Sequence, residues 1–399
     1  MNKIVVAEEM AWRMRVYTSA LAAGVGPHLL LGQKWKALRV HPGSKRLLCV
    51  CGARCPVTSA FRRRLAGAVT DRHSAVMASQ VTVRTGARLH FGLLAVKPLQ
   101  GRKFGGVGVM IDQPGCHLRL RYSDNESVTG NNSSTSQRVR EFLAIVRSRT
   151  QAHVGPVEVE VLDDIPSHGG LGSGTQLGLA VAAGLEALTE SPRSPAVDLA
   201  RHVGRGARSA IGVHGFDHGG FLIEAGHRSD DEISPLVARV IVPDQWRWLL
   251  ISPREAMGLS GAAEQLAFGE LASMPESLTN TLCRILLMDW LPAMLAADFL
   301  SASEAMWAYG QHIGQYFASV QGSTFANPQM ERLAHALRLR DVVGIAQTSW
   351  GPTIAVLCAD DAYAAALQEW TLSQSGEDEL SVRITASRNS GAEVLRSDA

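Results

Sequence analysis

Hydrophobic and polar residues alternate along several stretches of the chain from residue 80 onward. The segments QVTVRTGARLHFGLL, GCHLRLRY and VEVEVLDDIP place apolar residues at about every second position. This spacing predicts strands, because successive side chains of a strand face opposite sides. Further strands are predicted in GGFLIEAG, WRWLLISP, TIAVLCA and SVRITAS. Residues 124–136, DNESVTGNNSSTS, are polar throughout and are predicted to form a loop.

Other segments have helical spacing. QRVREFLAIVRSR and GTQLGLAVAAGLEALTE are predicted helices, and residues 278–317 are predicted to be largely helical. The second helix is predicted to bury one face, formed by Leu177, Ala180, Val181, Gly184, Leu185 and Leu188. Strands and helices are mixed without a regular strand–helix–strand alternation. We therefore predict an α+β fold in two lobes.

Charge divides the chain into a basic first part and an acidic remainder. Residues 1–76 contain thirteen lysines and arginines against three aspartates and glutamates, whereas the whole chain of 399 residues has a net charge of +2. We expect residues 1–76 to be a basic N-terminal extension that is either disordered or an artefact of the gene model, with translation starting at Met77. Residues 77–245 and 246–399 are the predicted N-terminal and C-terminal lobes.

Two further features of composition bear on the environment of the protein. The sequence has no uncharged apolar run of eighteen residues, so no membrane partner is expected. Its six cysteines are scattered along the chain, which favours a reducing, cytoplasmic environment over a disulfide scaffold.

A glycine-rich turn, IPSHGGLGSGTQLG at residues 165–178, lies between a predicted strand and a predicted helix. This arrangement forms an anion site, because the free N–H groups of the helix start point at the ligand. The candidate phosphate-binding residues in the turn are His168, Gly170, Gly172, Ser173, Gly174 and Thr175. Ser173 and Thr175 would either cap the helix or contact a phosphate-bound metal. The turn lacks the features of a Walker loop and of a dinucleotide fingerprint.

The order of proline, glycine-rich turn, GLGSG and apolar helix resembles the GHMP kinase superfamily. The segments RTGARLHFGLL, GRKFGGVGVMIDQPG, GLGSGTQLGLAVAAGL, GRGARSAIGVHGFDHGGFLIEAG and QTSWGPT together resemble the β-ribofuranosylaminobenzene 5′-phosphate synthases, a branch of that superfamily that is not made of kinases. The five segments follow in the expected order between residues 81 and 358. The resemblance implies a two-lobed GHMP-type fold, with the glycine-rich phosphate loop in the N-terminal lobe.

The resemblance also implies a reaction. A phosphoribosyl group would pass from phosphoribosyl pyrophosphate (PRPP) to 4-aminobenzoate or 4-hydroxybenzoate with loss of carbon dioxide. The product would be a β-ribofuranosyl-arene 5′-phosphate for tetrahydromethanopterin biosynthesis. Mg²⁺ is the implied cofactor because it neutralises the leaving pyrophosphate, and Ser173 and Glu264 are candidate ligands. A homodimer is one expected assembly, and no nucleic-acid partner is expected.

Two departures from the kinase pattern favour this branch. Gly174 and Thr175 stand where the kinase loop has serine and alanine, and the aspartate expected ahead of Gly219-Gly220 falls near Gly212. Two alternatives stay open. One is an ATP-dependent small-molecule kinase of the same superfamily, and the other is a nucleic-acid-binding protein that uses the basic residues 1–76.

Arginine and histidine supply the candidate catalytic and phosphate-binding side chains outside the loop. Arg88 and His90 lie two residues apart on a predicted strand and therefore share a face, and with His214 they are the candidate catalytic residues. Arg201, Arg205 and Arg208 have the spacing of one helix face if the segment is helical. Of these, Arg205 and Arg208 are the candidate phosphate ligands.

Candidate substrate-binding residues lie in two more segments. Arg102 and Lys103 precede FGGVG, a second predicted glycine turn. In QTSWGPT, Gln347 and Ser349 offer hydrogen bonds, and Trp350 would either stack on the aromatic ring of the acceptor or pack in the core.

Overall fold

A long antiparallel pair of strands forms the centre of the protein. The two strands are β1 (Gln80–Ala95) and β2 (Phe104–Tyr122). This structure, a computed structural model, describes residues 80–149, 154–189, 192–230, 232–254, 258, 261–374 and 379–397. The N-terminal extension predicted for residues 1–76 lies outside the described residues.

Nine more strands complete two sheets. They are β3 (Ser127–Gly130), β4 (Val157–Asp163), β5 (Phe221–Glu224), β6 (Leu236–Val240), β7 (Arg247–Pro253), β8 (Ile345–Gln347), β9 (Ile354–Cys358), β10 (Leu380–Ala386) and β11 (Glu393–Ser397). The first sheet has the order β11-β1-β2-β4-β3, with β5 paired to β2 and β6 paired to β5. The second sheet has the order β10-β7-β9-β8. Of these pairs, β3 with β4 is parallel and the others are antiparallel.

The helices of the described segments are α1 (Ser133–Arg149), α2 (Ser173–Leu188), α3 (Ala196–Val203), α4 (Ile211–His218), α5 (Gly261–Glu270), α6 (Glu276–Arg284), α7 (Leu291–Ala296), α8 (Phe299–Gln321), α9 (Pro328–Arg338) and α10 (Asp361–Gln374). A π-helical segment, Ile285–Trp290, joins α6 to α7. None of these described helices has the length and apolar character needed to cross a membrane.

Helix α2 is buried on all sides rather than on the single predicted face. Twelve of its residues are buried, because it packs on β1 and β2 on one side and contacts α1, α3 and α4 on the others. Two glycines allow this close packing. A β-carbon on Gly178 would lie 2.9 Å from the ring of Phe142, and one on Gly184 would lie 2.6 Å from Leu120.

The predicted strands and helices are otherwise found, and the mixture of helices with two mainly antiparallel sheets confirms the α+β class. The loop predicted for residues 124–136 is wrong in part, because it contains β3 and the first turn of α1. Its polar residues form the start of that helix. The side chain of Asn132 accepts hydrogen bonds from the N–H groups of Ser134 and Thr135. The lobe boundary at residue 245 stays a prediction. The first strand of the second sheet begins at Arg247, whereas β11 returns to the first sheet.

Candidate functional site

The glycine-rich loop joins β4 to α2 and contains three residues in the left-handed conformation. The φ angles of His168, Gly170 and Gly172 are 62°, 73° and 76°. A β-carbon on Gly170 would lie 2.4 Å from the carbonyl oxygen of Thr348, and one on Gly172 would lie 2.7 Å from Cγ of Arg88. The two glycines are therefore required by backbone conformation and by close contact with neighbouring protein segments.

Helix α2 begins directly after this loop without a side-chain cap. Its N-cap is Gly172, and no side-chain hydrogen bond is formed there, so the predicted capping by Ser173 or Thr175 is wrong. The first N–H groups of a helix have no partner within the helix and lie at the positive end of its dipole. The start of α2 is therefore a favourable environment for an anion.

A cleft with a volume of about 500 Å³ opens at the start of α2. It brings together predicted site residues from five segments of the chain. These residues are Arg88, His90, His168, Gly170, Gly172, Ser173, Gly174, Thr175, Arg205, Arg208, Glu264, Ser349 and Trp350. The sequence analysis does not predict several other lining residues, among them Ser134, Arg138, Ser167, Phe268 and Phe317.

Arg88 lies deep in this cleft and links β1 to the glycine-rich loop. Its Nη1 donates a hydrogen bond to the carbonyl oxygen of Gly170 at 2.8 Å. Burial lowers the pKa of its guanidinium to about 10, and the nearby carboxylates of Glu264 and Glu224 act in the opposite direction. Arg88 is therefore still a cation at neutral pH.

His90 lines the same cleft as a neutral imidazole. Burial, and secondly the charge of Arg88, lowers the pKa of His90 to about 3. Its Nε2 has no hydrogen-bond partner among the described residues, although its backbone is fixed by hydrogen bonds with Thr348 and Ser349. The side chain is therefore uncharged at neutral pH and does not act as a cationic acid there.

Arg205 and Arg208 reach the cleft from a loop rather than from a helix. Helix α3 ends at Val203 and the chain turns at Gly204, so the predicted helical face through Arg201 is wrong. Arg201 does not line the cleft but forms an ion pair with Asp198 on the same helix.

Arg208 and Glu264 form an ion pair at one wall of the cleft. Nη2 of Arg208 lies 3.0 Å from Oε2 of Glu264, and the Arg208 guanidinium lies 4.7 Å from the ring centroid of Phe268. Among the described residues that line the cleft, Glu264 is the only carboxylate, against the arginines at positions 88, 138, 205 and 208. The cleft is therefore positively charged.

An aromatic surface forms another wall. The ring of Trp350 lies 5.0 Å from that of Phe268 and 4.7 Å from that of Phe317, both in edge-to-face geometry. Trp350 is 6% exposed, so it belongs to the hydrophobic core and borders the cleft at the same time. A planar apolar ligand would find a matching surface here.

Arg102 and Lys103 are not at the cleft. FGGVG, predicted as a glycine turn, is the start of β2. Arg102 donates to the carbonyl oxygen of Gly226 and pairs with Glu232, and Lys103 pairs with Asp230. Both cations therefore bind a neighbouring acidic loop, which corrects their predicted place in a substrate site.

His214 and Gln347 are also placed elsewhere. Nε2 of His214 lies 2.7 Å from the carbonyl oxygen of Ser234, and burial lowers the pKa of this histidine. The side chain of Gln347 accepts a hydrogen bond from the N–H of Ala326 and donates one to the carbonyl oxygen of Ser349. Both side chains hold backbone segments together and neither lines the cleft.

Gly212, at the position where the kinase pattern leads us to expect an aspartate, lies next to the cleft. A β-carbon on Gly212 would lie 3.1 Å from Nε2 of Gln176, 3.5 Å from Cγ of Arg88 and 3.5 Å from Cγ2 of Thr175. A side chain at this position would therefore extend toward Arg88. In this chain the position contributes no carboxylate.

Comparisons with known proteins agree with this geometry. The GHMP kinases N-terminal domain family matches residues 137–222, a segment that includes most of α1, the glycine-rich loop and α2. The β-ribofuranosylphenol 5′-phosphate synthase of Methanothermobacter thermautotrophicus is 29% identical over 303 residues, covering 70% of this chain and 88% of that protein. The synthase of the same name from Archaeoglobus fulgidus is 28% identical over 334 residues, covering 78% and 98%.

Solved structures share the fold at lower sequence identity. A homoserine kinase from Cytophaga hutchinsonii has a TM-score of 0.54 and 17% identity, with 81% of this chain and 99% of that chain covered. A mevalonate diphosphate decarboxylase from Staphylococcus aureus has a TM-score of 0.58 and 14% identity, with 80% and 98% covered. These likenesses confirm the predicted GHMP-type fold.

Proposed function

We propose that this chain is a decarboxylating phosphoribosyltransferase, because it is similar over most of its length to β-ribofuranosylphenol 5′-phosphate synthases and carries a match to the GHMP kinases N-terminal domain. Its donor would be PRPP and its acceptor a para-substituted benzoate. The product would be a β-ribofuranosyl-arene 5′-phosphate for tetrahydromethanopterin biosynthesis.

One observation carries this proposal: the cleft combines a group of arginines at the start of a helix with an aromatic surface. Arg138, Arg205 and the N–H groups of α2 match the phosphate groups of the donor. Phe268, Phe317 and Trp350 match the aromatic ring of the acceptor. A phosphorylated sugar and an aromatic acid would both be accommodated in this one cleft.

In the proposed step, the bond between the anomeric carbon of PRPP and a diphosphate oxygen breaks. Pyrophosphate leaves with the electron pair of that bond. The ring carbon that bears the carboxylate forms the new bond to the anomeric carbon. Carbon dioxide then leaves that ring carbon, and its bonding electrons restore the aromatic ring. No proton is gained or lost at the reacting carbons, so the step needs no general base.

The side chains of the cleft have separate tasks in this proposal. Arg88 binds the carboxylate of the acceptor as a buried cation whose planar fork suits two carboxylate oxygens. His90 is a neutral imidazole beside Arg88, because its low pKa of about 3 excludes the charged form at neutral pH, so Arg88 carries the positive charge on this part of β1. Trp350 and the phenylalanines beside it hold the ring in place and exclude water.

We propose that Mg²⁺ enters the cleft on the diphosphate. Among the described residues, no group of three or more His, Cys, Asp or Glu side chains is arranged to hold a metal ion. This fits an ion that is held largely by substrate oxygens and water. Ser173 and Glu264 line the cleft and are the side chains that would contact it. Bound there, the ion would neutralise charge on the leaving pyrophosphate.

The acceptor that we propose first is 4-hydroxybenzoate, because the similar proteins are named for a ribosylated phenol. 4-Aminobenzoate differs at one polar group and is the comparison substrate. The kinase alternative has less support. Gly212, at the position where the kinase pattern has an aspartate, provides no carboxylate to act on an alcohol.

The test uses the full chain with PRPP, Mg²⁺ and each benzoate, with the ribosylated arene detected by chromatography and mass spectrometry. We expect a product with 4-hydroxybenzoate that falls at least about 100-fold in Arg88→Met, because a charge-assisted bidentate contact made in the transition state is lost. Arg201→Met is the matched control, since Arg201 is outside the cleft, and it should keep full activity. ADP formation from ATP and an alcohol, without consumption of PRPP, would contradict the proposal.

A further inference from the structure

Two guanidinium groups lie over the same residue of the first turn of α2. A β-carbon on Gly174 would lie 3.0 Å from Nη2 of Arg138 and 3.3 Å from both Cζ and Nη2 of Arg205. Both arginines line the cleft. They come from different parts of the chain, Arg138 from α1 and Arg205 from the loop after α3. Gly174 therefore leaves the space in which the two cations approach the start of the helix.

Neighbouring side chains fix the positions of both cations. Nη1 of Arg138 donates a hydrogen bond to Oγ of Ser167 at 2.9 Å. The guanidinium of Arg205 lies 5.3 Å from the ring centroid of Phe142, which is one helical turn beyond Arg138 on α1. Phe142 is in turn packed against Gly178 of α2. The two guanidinium groups are thus held beside the first turn of α2 before any ligand binds.

Neither cation has an anionic partner within the described part of the chain. No carboxylate there lies within 4.0 Å of the side-chain nitrogens of Arg138 or Arg205, whereas Arg208 in the same cleft is paired with Glu264. Burial, and secondly the charge of Arg138, lowers the pKa of Arg205. Two like charges that are partly buried at a helix N-terminus repel each other, and an anion bound beside both would offset this repulsion.

We propose that Arg138 and Arg205 together bind the diphosphate of PRPP, and that Gly174 provides the space for this pair. The inference rests on the proposed function and deepens it, because it assigns the leaving group, rather than the 5′-phosphate, to the start of α2.

Charge and chemistry favour the diphosphate over the 5′-phosphate at this position. The guanidinium groups of Arg138 and Arg205 and the free N–H groups of α2 supply more hydrogen-bond donors than a single phosphate group accepts. A diphosphate offers acceptor oxygens on two phosphorus atoms. The bond to the diphosphate oxygen breaks in the reaction, so negative charge grows on this group. Cations held in place at that oxygen stabilise the transition state most directly.

The test measures binding of pyrophosphate, with and without Mg²⁺, to the full chain by titration calorimetry, next to ribose 5-phosphate as the comparison ligand. Arg138→Met and Arg205→Met should each weaken pyrophosphate binding by about 10- to 100-fold, the loss expected for hydrogen bonds to a charged group. In the double variant, the fold-loss in pyrophosphate affinity should be smaller than the product of the two single fold-losses, because both cations bind the same ligand. Gly174→Ala should weaken pyrophosphate binding as well, and Arg138→Lys should restore it only in part.

Arg140→Met is the matched control, because Arg140 lies on the same helix but donates to the carbonyl oxygen of Val128 outside the cleft. It should bind pyrophosphate as the parent chain does, and all variants should keep the parent far-UV circular dichroism. Unchanged pyrophosphate affinity in Arg138→Met would overturn the inference. The inference would also be overturned if the arginine variants weakened the binding of ribose 5-phosphate but not that of pyrophosphate.

Failure of the proposed function would give a different result. In that case the parent chain would form no ribosylated arene from PRPP, whatever its affinity for pyrophosphate. If the parent chain forms product and Arg138→Met binds pyrophosphate with the parent affinity, only the inference about the diphosphate is contradicted.

Discussion

Nη1 of Arg88 lies 2.8 Å from the carbonyl oxygen of Gly170, to which it donates a hydrogen bond. The backbone N–H of Arg88 donates a second one to the carbonyl oxygen of Leu171 at 3.0 Å. A single residue of β1 thus fixes the glycine-rich loop and also supplies a buried positive charge to the cleft. Changes in the loop that displace Arg88 should therefore reduce both the stability of the fold and the activity.

Gly172→Ala should destabilise the protein and reduce its activity, because the new β-carbon would lie 2.7 Å from Cγ of Arg88 at a φ of 76°. We expect a loss of about 2–4 kcal/mol in the free energy of unfolding, measured by urea denaturation, from backbone strain and overpacking. Gly101→Ala is the matched control. Gly101 also has a positive φ, of 88°, but nothing lies within 4 Å of its added β-carbon. Equal losses in the two variants would contradict the proposed contact.

The stability of the protein should fall as the pH drops below about 6.5, in part because of His90. Its pKa is about 3 in the folded protein, lowered from 6.5 by burial and then by Arg88. Between these values the unfolded chain binds a proton that the folded chain does not, so the free energy of unfolding decreases with falling pH, by up to about 1.4 kcal/mol per pH unit.

His90→Gln should therefore show a shallower decrease in the free energy of unfolding between pH 6 and pH 5 than the parent chain. The measurement is urea denaturation at each pH. His335→Gln, a change at an exposed histidine of α9, is the control and should keep the parent slope. An unchanged slope in His90→Gln would mean that His90 is not held neutral.

Gly212→Asp should reduce phosphoribosyl transfer by more than about 10-fold. The β-carbon of the new side chain would lie 3.5 Å from Cγ of Arg88, and its carboxylate would compete with the substrate for this cation. The helix should persist, because an acidic residue in the first turn of α4 is favourable. Gly212→Ala adds the same β-carbon without the charge and should keep most of the activity. If both variants lost activity equally in a steady-state assay, steric contact rather than charge would be the cause.

Trp350→Phe should raise the KM for the benzoate by about 2- to 10-fold and leave the KM for PRPP within a factor of two, because the ring forms part of the proposed acceptor surface. Trp307→Phe is the control, since Trp307 does not line the cleft and its ring lies 4.7 Å from the guanidinium of Arg338. An increase in the KM for PRPP alone would place Trp350 in the donor site instead.

Local patterns in the sequence predicted the parts of the site that lie on one continuous segment. Ser173 to Thr175 follow a glycine-rich turn at the start of an apolar helix, and such a turn has its own signature. Arg88 and His90 were expected together because they are two residues apart on a strand. Each of these groups lines the cleft.

The remaining parts of the site depend on contacts between distant segments. Arg138 has the spacing of an ordinary surface residue of α1, and only the packing of α1 beside α2 brings it to Gly174. Arg102 and Lys103 directly precede a glycine-rich segment, which is a pattern typical of phosphate-binding residues. In the folded chain they instead form ion pairs with Glu232 and Asp230. Gly204 is the sequence signal that α3 ends before Arg205, because glycine commonly terminates a helix.

The most direct test of the central claim is the release of labelled carbon dioxide from carboxyl-labelled 4-hydroxybenzoate by the full chain. Decarboxylating phosphoribosyl transfer predicts one carbon dioxide for each pyrophosphate released, with neither formed when PRPP or the benzoate is omitted. Pyrophosphate release without labelled carbon dioxide, or a ribosylated product that keeps the carboxylate, would contradict it.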